Sequence, residues 1–493
     1  MPHGHQFIAG QRVQGSGGEH PVVNPATGEQ VVMADLASPA DVDRAVAAAT
    51  DAFSDWSRRT PAERSDLMGT WAANVAEIAE ELATTETTQT GKTLRMSREF
   101  DVPGTIDNTA FFAGAARHLS GLATGEYSGD HTSSIRREPL GVIGSIAPWN
   151  YPLQMAAWKL LPALAAGNTV VLKPSEMTPL TSLMYAEAAQ RAGIPDGVIN
   201  VLNGSGAGIG EALVGHKGIA MVSFTGSTAV GLKVAQLAAS TGKRIHLELG
   251  GKAPFVVYDD ADLEAAIHGA VAASTINAGQ DCTAATRAIV HRSVFDEFCS
   301  GVADLMSAYQ VGDPTDDDTD MGSLISKVQQ DRVRTHVERA RAEGAEIRVG
   351  GAAPDGPGAF FLPTLVTGVS ADSSIMRDEV FGPVLAAMAF DTDDESIELA
   401  NDTVYGLAAS AWTRDVYRAN RAAREIQAGC VWLNDHIPII SEMPHGGYKQ
   451  SGQGKDMSAY SFEEYTQIKH VMHDLTATVR KDWHRTVFHD RSS

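Results

Sequence analysis

The chain holds only three cysteines in 493 residues, Cys282, Cys299 and Cys430. They are odd in number and far apart, a spacing that fits neither a disulfide framework nor a zinc site, so reduced thiols and no metal ion are expected. Positive charge is also scarce: 39 Lys and Arg against 61 Asp and Glu leave a net charge of −22. Nucleic acids and anionic membranes need a basic face, so neither is an expected partner. No run approaches the roughly 20 apolar residues of a membrane span. The opening MPHGHQFIAGQRVQG lacks a basic start and an apolar stretch, and the expectation is a cytoplasmic protein. Repeats and low-complexity linkers are missing too. What remains is the composition of a globular α/β protein, 43% hydrophobic and 20% charged, long enough for two or three domains.

From Asp41 to Ala83 apolar residues recur at three- and four-residue spacing behind acidic or proline starts, which predicts helices. A third helical stretch runs through Phe111–Leu122. The texture then changes. PLGVIGSIAP, NTVVLKPSE, GVINVLNG, IAMVSFTGS and RIHLELGGKAPFVVYDD are short β-branched runs ending in Gly, Pro or polar turns, with helical stretches between them. Strands alternating with helices read as a parallel, doubly wound sheet. A second alternation follows Ala261. EYSGDHTSSIRREPL and EEYTQIKHVMHDLTATVRKDW are extended segments outside either rhythm.

One stretch, INAGQDCTAATR, sets Cys282 among small and polar residues. Free cysteine is usually a buried small hydrophobe. Asn277, Gly279, Gln280, Asp281 and Thr283 are poor core material, however, and a thiol presented at a polar turn is the kind that reacts.

Two glycine stretches invite a nucleotide reading. In NGSGAGIGEAL the glycines fall at 204, 206, 208 and 210, out of the G-x-G-x-x-G register and without its ribose-binding acid, so a loop and helix start are expected there. MVSFTGSTAVGLKVAQLAA is the better candidate: a β-run ends at Phe224, a Gly-Ser turn follows, and a helix opens with Gly231 early enough for close packing. Its free backbone N–H groups and Ser227 could face a pyrophosphate. Lys173 and Glu176 also stand at a strand's carboxyl end, where doubly wound sheets bind ligands; an exposed loop is the alternative. Glu248, in ELGGK, is either a satisfied structural acid or a general base whose pKa apolar surroundings raise.

Taken together and in order, APWNYP, KPSE, FTGS, ELGGK, GQDC, EVFGPV and PHGGYKQSG resemble the aldehyde dehydrogenase superfamily nearly end to end. The resemblance implies two doubly wound α/β domains plus a small β oligomerisation domain. Residues 1–120 and 139–250 would bind NAD, 251–440 would carry catalysis, and 121–138 with 465–480 would pair subunits into a homodimer or a homotetramer built as a dimer of dimers. Residues 441–464 would connect back toward the cofactor domain.

The resemblance assigns chemistry residue by residue. Cys282 is the expected nucleophile, attacking the aldehyde carbon to give a thiohemiacetal. Asn150 and the Cys282 backbone N–H are the expected oxyanion donors; losing one such donor costs about 10²–10³ in rate. Hydride passes to the nicotinamide, and Glu248 activates water against the resulting thioester, which favours a free acid over transfer to coenzyme A. Asp456 stands where many relatives have a glutamate that relays protons with the residue matching Lys159. For NAD, the matching positions are Ile146, Ala147, Pro148, Trp149, Lys173, Ser175, Glu176, Gly226, Ser227, Gly231, Leu249, Glu379 and Phe381. A carboxylate about 4 Å from a 2′-phosphate repels it by roughly 4 kcal/mol per charge at an effective dielectric near 20, so Glu176 favours NAD over NADP.

Within the superfamily the likeness is to bacterial γ-aminobutyraldehyde dehydrogenases, with betaine-aldehyde and other aminoaldehyde enzymes as neighbours. The expected reaction is 4-aminobutanal to 4-aminobutanoate, in putrescine degradation. Acids Asp101, Asp281 and Glu442 and aromatics Tyr151, Trp158 and Trp432 are the candidate substrate contacts, a cation over an aromatic face being worth about 0.5–2 kcal/mol. Two other classes compete. A cysteine hydrolase needs a histidine aimed at the thiol, and His246, His436 and His445 show no such arrangement in sequence. A structural or binding protein would have no need to keep Cys282, Glu248 and Asn150 together.

Overall fold

The computed structural model describes residues 4–489. Residues 1–3, which open the stretch read above as free of a targeting signal, and residues 490–493 lie outside the described residues. Five parallel strands form the middle of an eight-stranded sheet, in the order Arg244–Glu248, Ile219–Thr225, Val142–Ile146, Thr169–Lys173 and Ile199–Val201. Val142–Ile146 and Thr169–Lys173 are buried at every residue, as strands covered on both faces must be. The connection order reverses between Val142–Ile146 and Ile219–Thr225. Their carboxyl ends open the crevice where doubly wound sheets bind ligands.

The flanking helices start where the sequence places stop-and-start chemistry. Ser38 and Asp41 form a capping box at the head of Pro39–Trp56, and Thr60 and Glu63 do the same for Pro61–Glu77; each helix has proline in its first turn. The third helix differs from expectation. It spans Val102–Ala115 and stops before the Arg117–Leu122 stretch, where the chain runs through residues 118–124 without regular structure.

Residues 249–252 carry the chain directly from the first sheet into a second, seven-stranded one. Its order is Glu346–Val349, Thr364–Thr367, Val384–Phe390, Ala285–His291, Ala253–Val257, Ala408–Trp412 and Cys430–Leu433, parallel except at the first pair. Gly452–Gln453 then returns to the first sheet, pairing antiparallel with Arg244–Glu248. Gly125–Ser128, His131–Pro139 and Thr466–Asp474 make a separate three-stranded antiparallel sheet. No helix among the described residues is long and apolar enough to cross a membrane.

Four N-terminal strands escaped the sequence reading: Gln6–Ile8, Gln11–Val13, Glu19–Val23 and Gln30–Asp35. The first two extend the large sheet as a hairpin whose turn residues, Ala9 and Gly10, both have positive φ. Such a turn is usually announced by Asn-Gly or Asp-Gly, and Ala-Gly gives no such signal.

Candidate active site

The site is built from what the two large sheets present to each other. Glu248 ends the last parallel strand of the first sheet, and Cys282 stands just before strand Ala285–His291 of the second. Between them lies a cavity of about 290 Å³ that includes Asn150, Tyr151, Glu248, Cys282, Glu379 and Asp456 in its wall.

Cys282 is held by an unusual loop. Asn277, Ala278 and Gly279 all have left-handed backbone, with φ of 48°, 53° and 70°. Left-handed backbone costs a non-glycine residue about 1 kcal/mol or more, so this turn persists only because its surroundings fix it. Asn277 donates to the Asn150 carbonyl at 2.9 Å, Asn150 donates from Nδ2 to the Gln280 carbonyl at 3.0 Å, and Gln280 Oε1 accepts from the Ile325 N–H at 2.8 Å. The Asn150 amide is thereby fixed beside the loop with a second N–H still to offer, the arrangement an oxyanion site requires.

Burial, and then the carboxylates of Asp281, Glu248 and Glu379, hold the Cys282 thiol well above its usual range. Burial and then Asp456 likewise push Glu248 up, against the pull of Lys159 and Lys455. Among the described residues, neither Glu248 oxygen has a hydrogen-bond partner. Gly446 explains the fit: a Cβ there would stand 2.4 Å from Glu248 Oε1. Behind Glu248, Lys159 and Asp456 form a fully buried ion pair at 2.7 Å. The donor atoms of His246, Glu248 and Asp456 lie within 4.8 Å of one another. The Lys159 ammonium already supplies the positive charge a metal would bring, so the cluster suits proton transfer better than metal binding.

The cofactor positions spread from the cavity along the crevice. Pro148, Trp149, Gly226, Ser227, Leu249, Glu379 and Phe381 line the cavity. Ser227 caps helix Thr228–Ala239, accepting from the Val230 N–H, and so satisfies only one of the helix's leading N–H groups. Gly231 packs on Leu249, where a Cβ would come within 2.3 Å. Glu379 accepts from the Gly251 N–H at 2.9 Å, and Trp149 meets Phe381 edge-on at 5.3 Å. Ile146 ends the central strand and Ala147 follows it, the Ala147 N–H donating to the Lys173 carbonyl. Lys173 donates to the carbonyls of Pro174 and Gly204 and lies 3.6 Å from Glu176, with Ser175 buried between them in sequence. This glycine turn and helix start suit a dinucleotide pyrophosphate.

Of the substrate candidates, Tyr151, Trp158 and Asp281 line the cavity, and Tyr151 donates to Asp281 at 2.7 Å. Three others need correction. Asp101 is fully buried and turned onto Lys92 at 2.7 Å, because a carboxylate enclosed there requires a cation; Lys92 in turn sits 4.3 Å over the Tyr151 ring. Trp432 donates to the Pro438 carbonyl and stacks on His436, away from the cavity wall. Glu442 is exposed to solvent. The sequence reading missed Gln329 and Arg332, which reach the wall from helix Lys327–Ala342, and Phe100 from the helical segment beside Tyr151. Only the folded arrangement brings them there.

The histidines do not form a hydrolase. Both nitrogens of His436 are engaged, with Ser410 and the Thr283 carbonyl, and His445 packs on Trp158 with burial holding it down to about 4.

Comparison with known proteins agrees with this geometry. The aldehyde dehydrogenase family profile matches residues 13–471. DhaS of Bacillus subtilis (strain 168), whose name assigns it to the aldehyde dehydrogenases, is 42% identical over 472 residues, covering 95% of each chain. A betaine aldehyde dehydrogenase from Staphylococcus aureus, solved with NAD+, superposes with a TM-score of 0.95 at 38% identity over 97% of this chain and 96% of that one. An NAD+ complex of an aldehyde dehydrogenase from Bacillus cereus gives the same TM-score and identity over 96% and 97%.

Proposed function

The chain belongs to the aldehyde dehydrogenase family, and from that premise we propose that it oxidises a cationic aldehyde, 4-aminobutanal, to its carboxylic acid with NAD. The observation that carries the reading is one cavity holding a cysteine, a side-chain amide and an unpartnered carboxylate beside a glycine turn at a helix start. The Cys282 sulfur adds to the aldehyde carbon once its proton is lost to Glu248 or to water. Asn150 and the Cys282 amide steady the oxyanion, giving a thiohemiacetal. Gly226, Ser227 and Glu379 would hold NAD, which would supply the acceptor for the hydride; loss of that hydride from the thiohemiacetal leaves a thioester on Cys282. Glu248 then takes a proton from water, hydroxide adds to the thioester carbon, and the sulfur departs as the acid is released.

The choice of aldehyde rests on Asp281. Its carboxylate lies on the cavity wall next to the nucleophile, with Tyr151, Trp158 and Phe100 around it. The ammonium of an aminoaldehyde can face that carboxylate across an aromatic wall. A second reading, betaine aldehyde, has support in the named activity of the Staphylococcus aureus relative, and a quaternary ammonium would use the aromatic faces alone.

NADH formation followed at 340 nm decides between them. The expected result is a higher kcat/KM for 4-aminobutanal than for butanal or betaine aldehyde, with the preference over butanal falling at least tenfold in Asp281→Asn. Equal use of butanal by the unaltered enzyme removes the aminoaldehyde assignment, and preferential use of betaine aldehyde selects the second reading.

A further inference from the structure

We propose that His246 is a positioning residue that completes a proton path from Glu248 to the Asp456–Lys159 pair, spanning the gap left by the short side chain of Asp456. The proposal rests on Glu248 serving as the base for thioester hydrolysis. His246 lies two residues before Glu248 on the same strand, so both side chains leave the same face of the sheet. Its ring is completely buried. Nδ1 is fixed by Ser223 Oγ at 2.9 Å, on the neighbouring strand. Nε2 has no hydrogen-bond partner among the described residues and stands 3.6 Å from Glu248 Oε1 and 3.8 Å from Asp456 Oδ1.

Three of the facing atoms are orphans. Asp456 Oδ1 and both Glu248 oxygens are buried without partners, although Asp456 Oδ2 is bound to Lys159. A buried polar atom without a partner costs stability, and a group of them converging on one imidazole nitrogen is the signature of a function rather than of packing. The distances exceed hydrogen-bond length by less than 1 Å, as is common for such networks before substrate binds. Gly454 keeps the ring in place from the other side, where a Cβ would come within 2.3 Å of His246 Cδ2.

The charge environment fits a carrier that is neutral at rest. Burial, then the ammonium of Lys159, then His445 and Lys455, hold the imidazole well below its ordinary range. Glu464, from helix Ser458–Glu464, also approaches Gly454, and burial pushes it up to about 7. The step balances simply. Water gives one proton to Glu248 as hydroxide adds to the thioester carbon and the C–S bond breaks. That proton moves from Glu248 Oε1 to His246 Nε2, and from the same nitrogen to Asp456 Oδ1. The base is thereby reset without the proton returning through the substrate cavity.

The test is His246→Asn, which keeps a partner for Ser223 but has no nitrogen that can take up a proton, together with the double variant His246→Asn/Asp456→Glu. Single-turnover and steady-state NADH formation are measured with the best aldehyde from pH 6.5 to 9. In the single variant the expectation is an NADH burst equal to the active-site concentration, then a steady state slowed on the order of tenfold at pH 7 that recovers as pH rises. In the double variant the longer carboxylate is expected to restore most of the rate at pH 7. An unchanged steady state, loss of the burst along with turnover, or no recovery in the double variant overturns the proposal. Failure of the function itself is a separate result: the unaltered enzyme would then form no NADH with any aldehyde.

Discussion

Cys282 and Glu248 share one difficulty, for the surroundings of each favour its protonated form. Burial raises each, and neighbouring charge adds to it: the Glu248 charge opposes a thiolate, and Asp456 opposes the Glu248 charge. A thiol so held is a weak nucleophile, and its proton must pass to a base for the attack to proceed. The two residues also act at different stages, since the thiol is needed for attack and the carboxylate for releasing the acid. Replacing Glu248 with Gln keeps the shape of the site and removes the base. NADH should then appear in a burst close to the active-site concentration, followed by turnover slowed about 10²-fold or more. Rapid-quench or stopped-flow measurement at 340 nm checks this, and a fast steady state in that variant would place the deacylating base elsewhere.

At the scale of elements, the reactive thiol depends on a turn that resists substitution. Gly279 has φ of 70°, and a Cβ on it would stand 2.1 Å from the Gly382 carbonyl oxygen, part of the segment that also carries Glu379 and Phe381. Both the left-handed backbone and the contact with rigid backbone oppose a side chain. Gly279→Ala should therefore cut kcat at least tenfold by moving Cys282. NAD affinity, measured by fluorescence titration, should change less, because helix Thr228–Ala239 and its glycine turn belong to the other sheet's layer. Normal kcat in this variant would show that the loop tolerates displacement.

The same turn marks where sequence reading ran out. Cys282, Glu248, Asn150 and the Gly226–Ser227 turn were legible because each sits in a short motif with its chemistry on display. The helices and alternating strands are legible through apolar runs and through acidic and proline starts such as Asp41 and Pro61. Asn277 and Ala278 gave no sign of left-handed backbone, since tertiary hydrogen bonds to Asn150 hold them there. Asp101 could not be placed either. The likeness to aminoaldehyde enzymes offers it as a substrate contact, but Lys92, nine residues earlier, claims the carboxylate across a buried turn. His246 enters the sequence reading only as a possible partner for a hydrolase thiol, because Asp456, far along the chain, comes beside it only in the fold.

For the whole molecule, the open question is what meets the small three-stranded sheet. Among the described residues its outer strand, Thr466–Asp474, pairs with His131–Pro139 on one side only and runs for nine residues, a long edge to leave unpaired. Ile468 and Met472 on that strand are 63% and 51% exposed, and Leu475 just beyond it is 54% exposed. Apolar side chains on an open edge suit pairing with a second copy of the chain. Against this stands a net charge of −22 on every copy, a repulsion that salt screens within a Debye length of about 10 Å at 0.1 M. Assembly should thus be a dimer or tetramer that tightens as salt increases, the mark of an apolar contact formed against like charge. Ile468→Lys/Met472→Lys should shift the protein toward smaller species in sedimentation velocity while circular dichroism and the NADH burst remain, because neither residue lies on the cavity wall. A double variant that sediments like the original would move the subunit contact to another face, and a monomeric original would remove this role from the sheet.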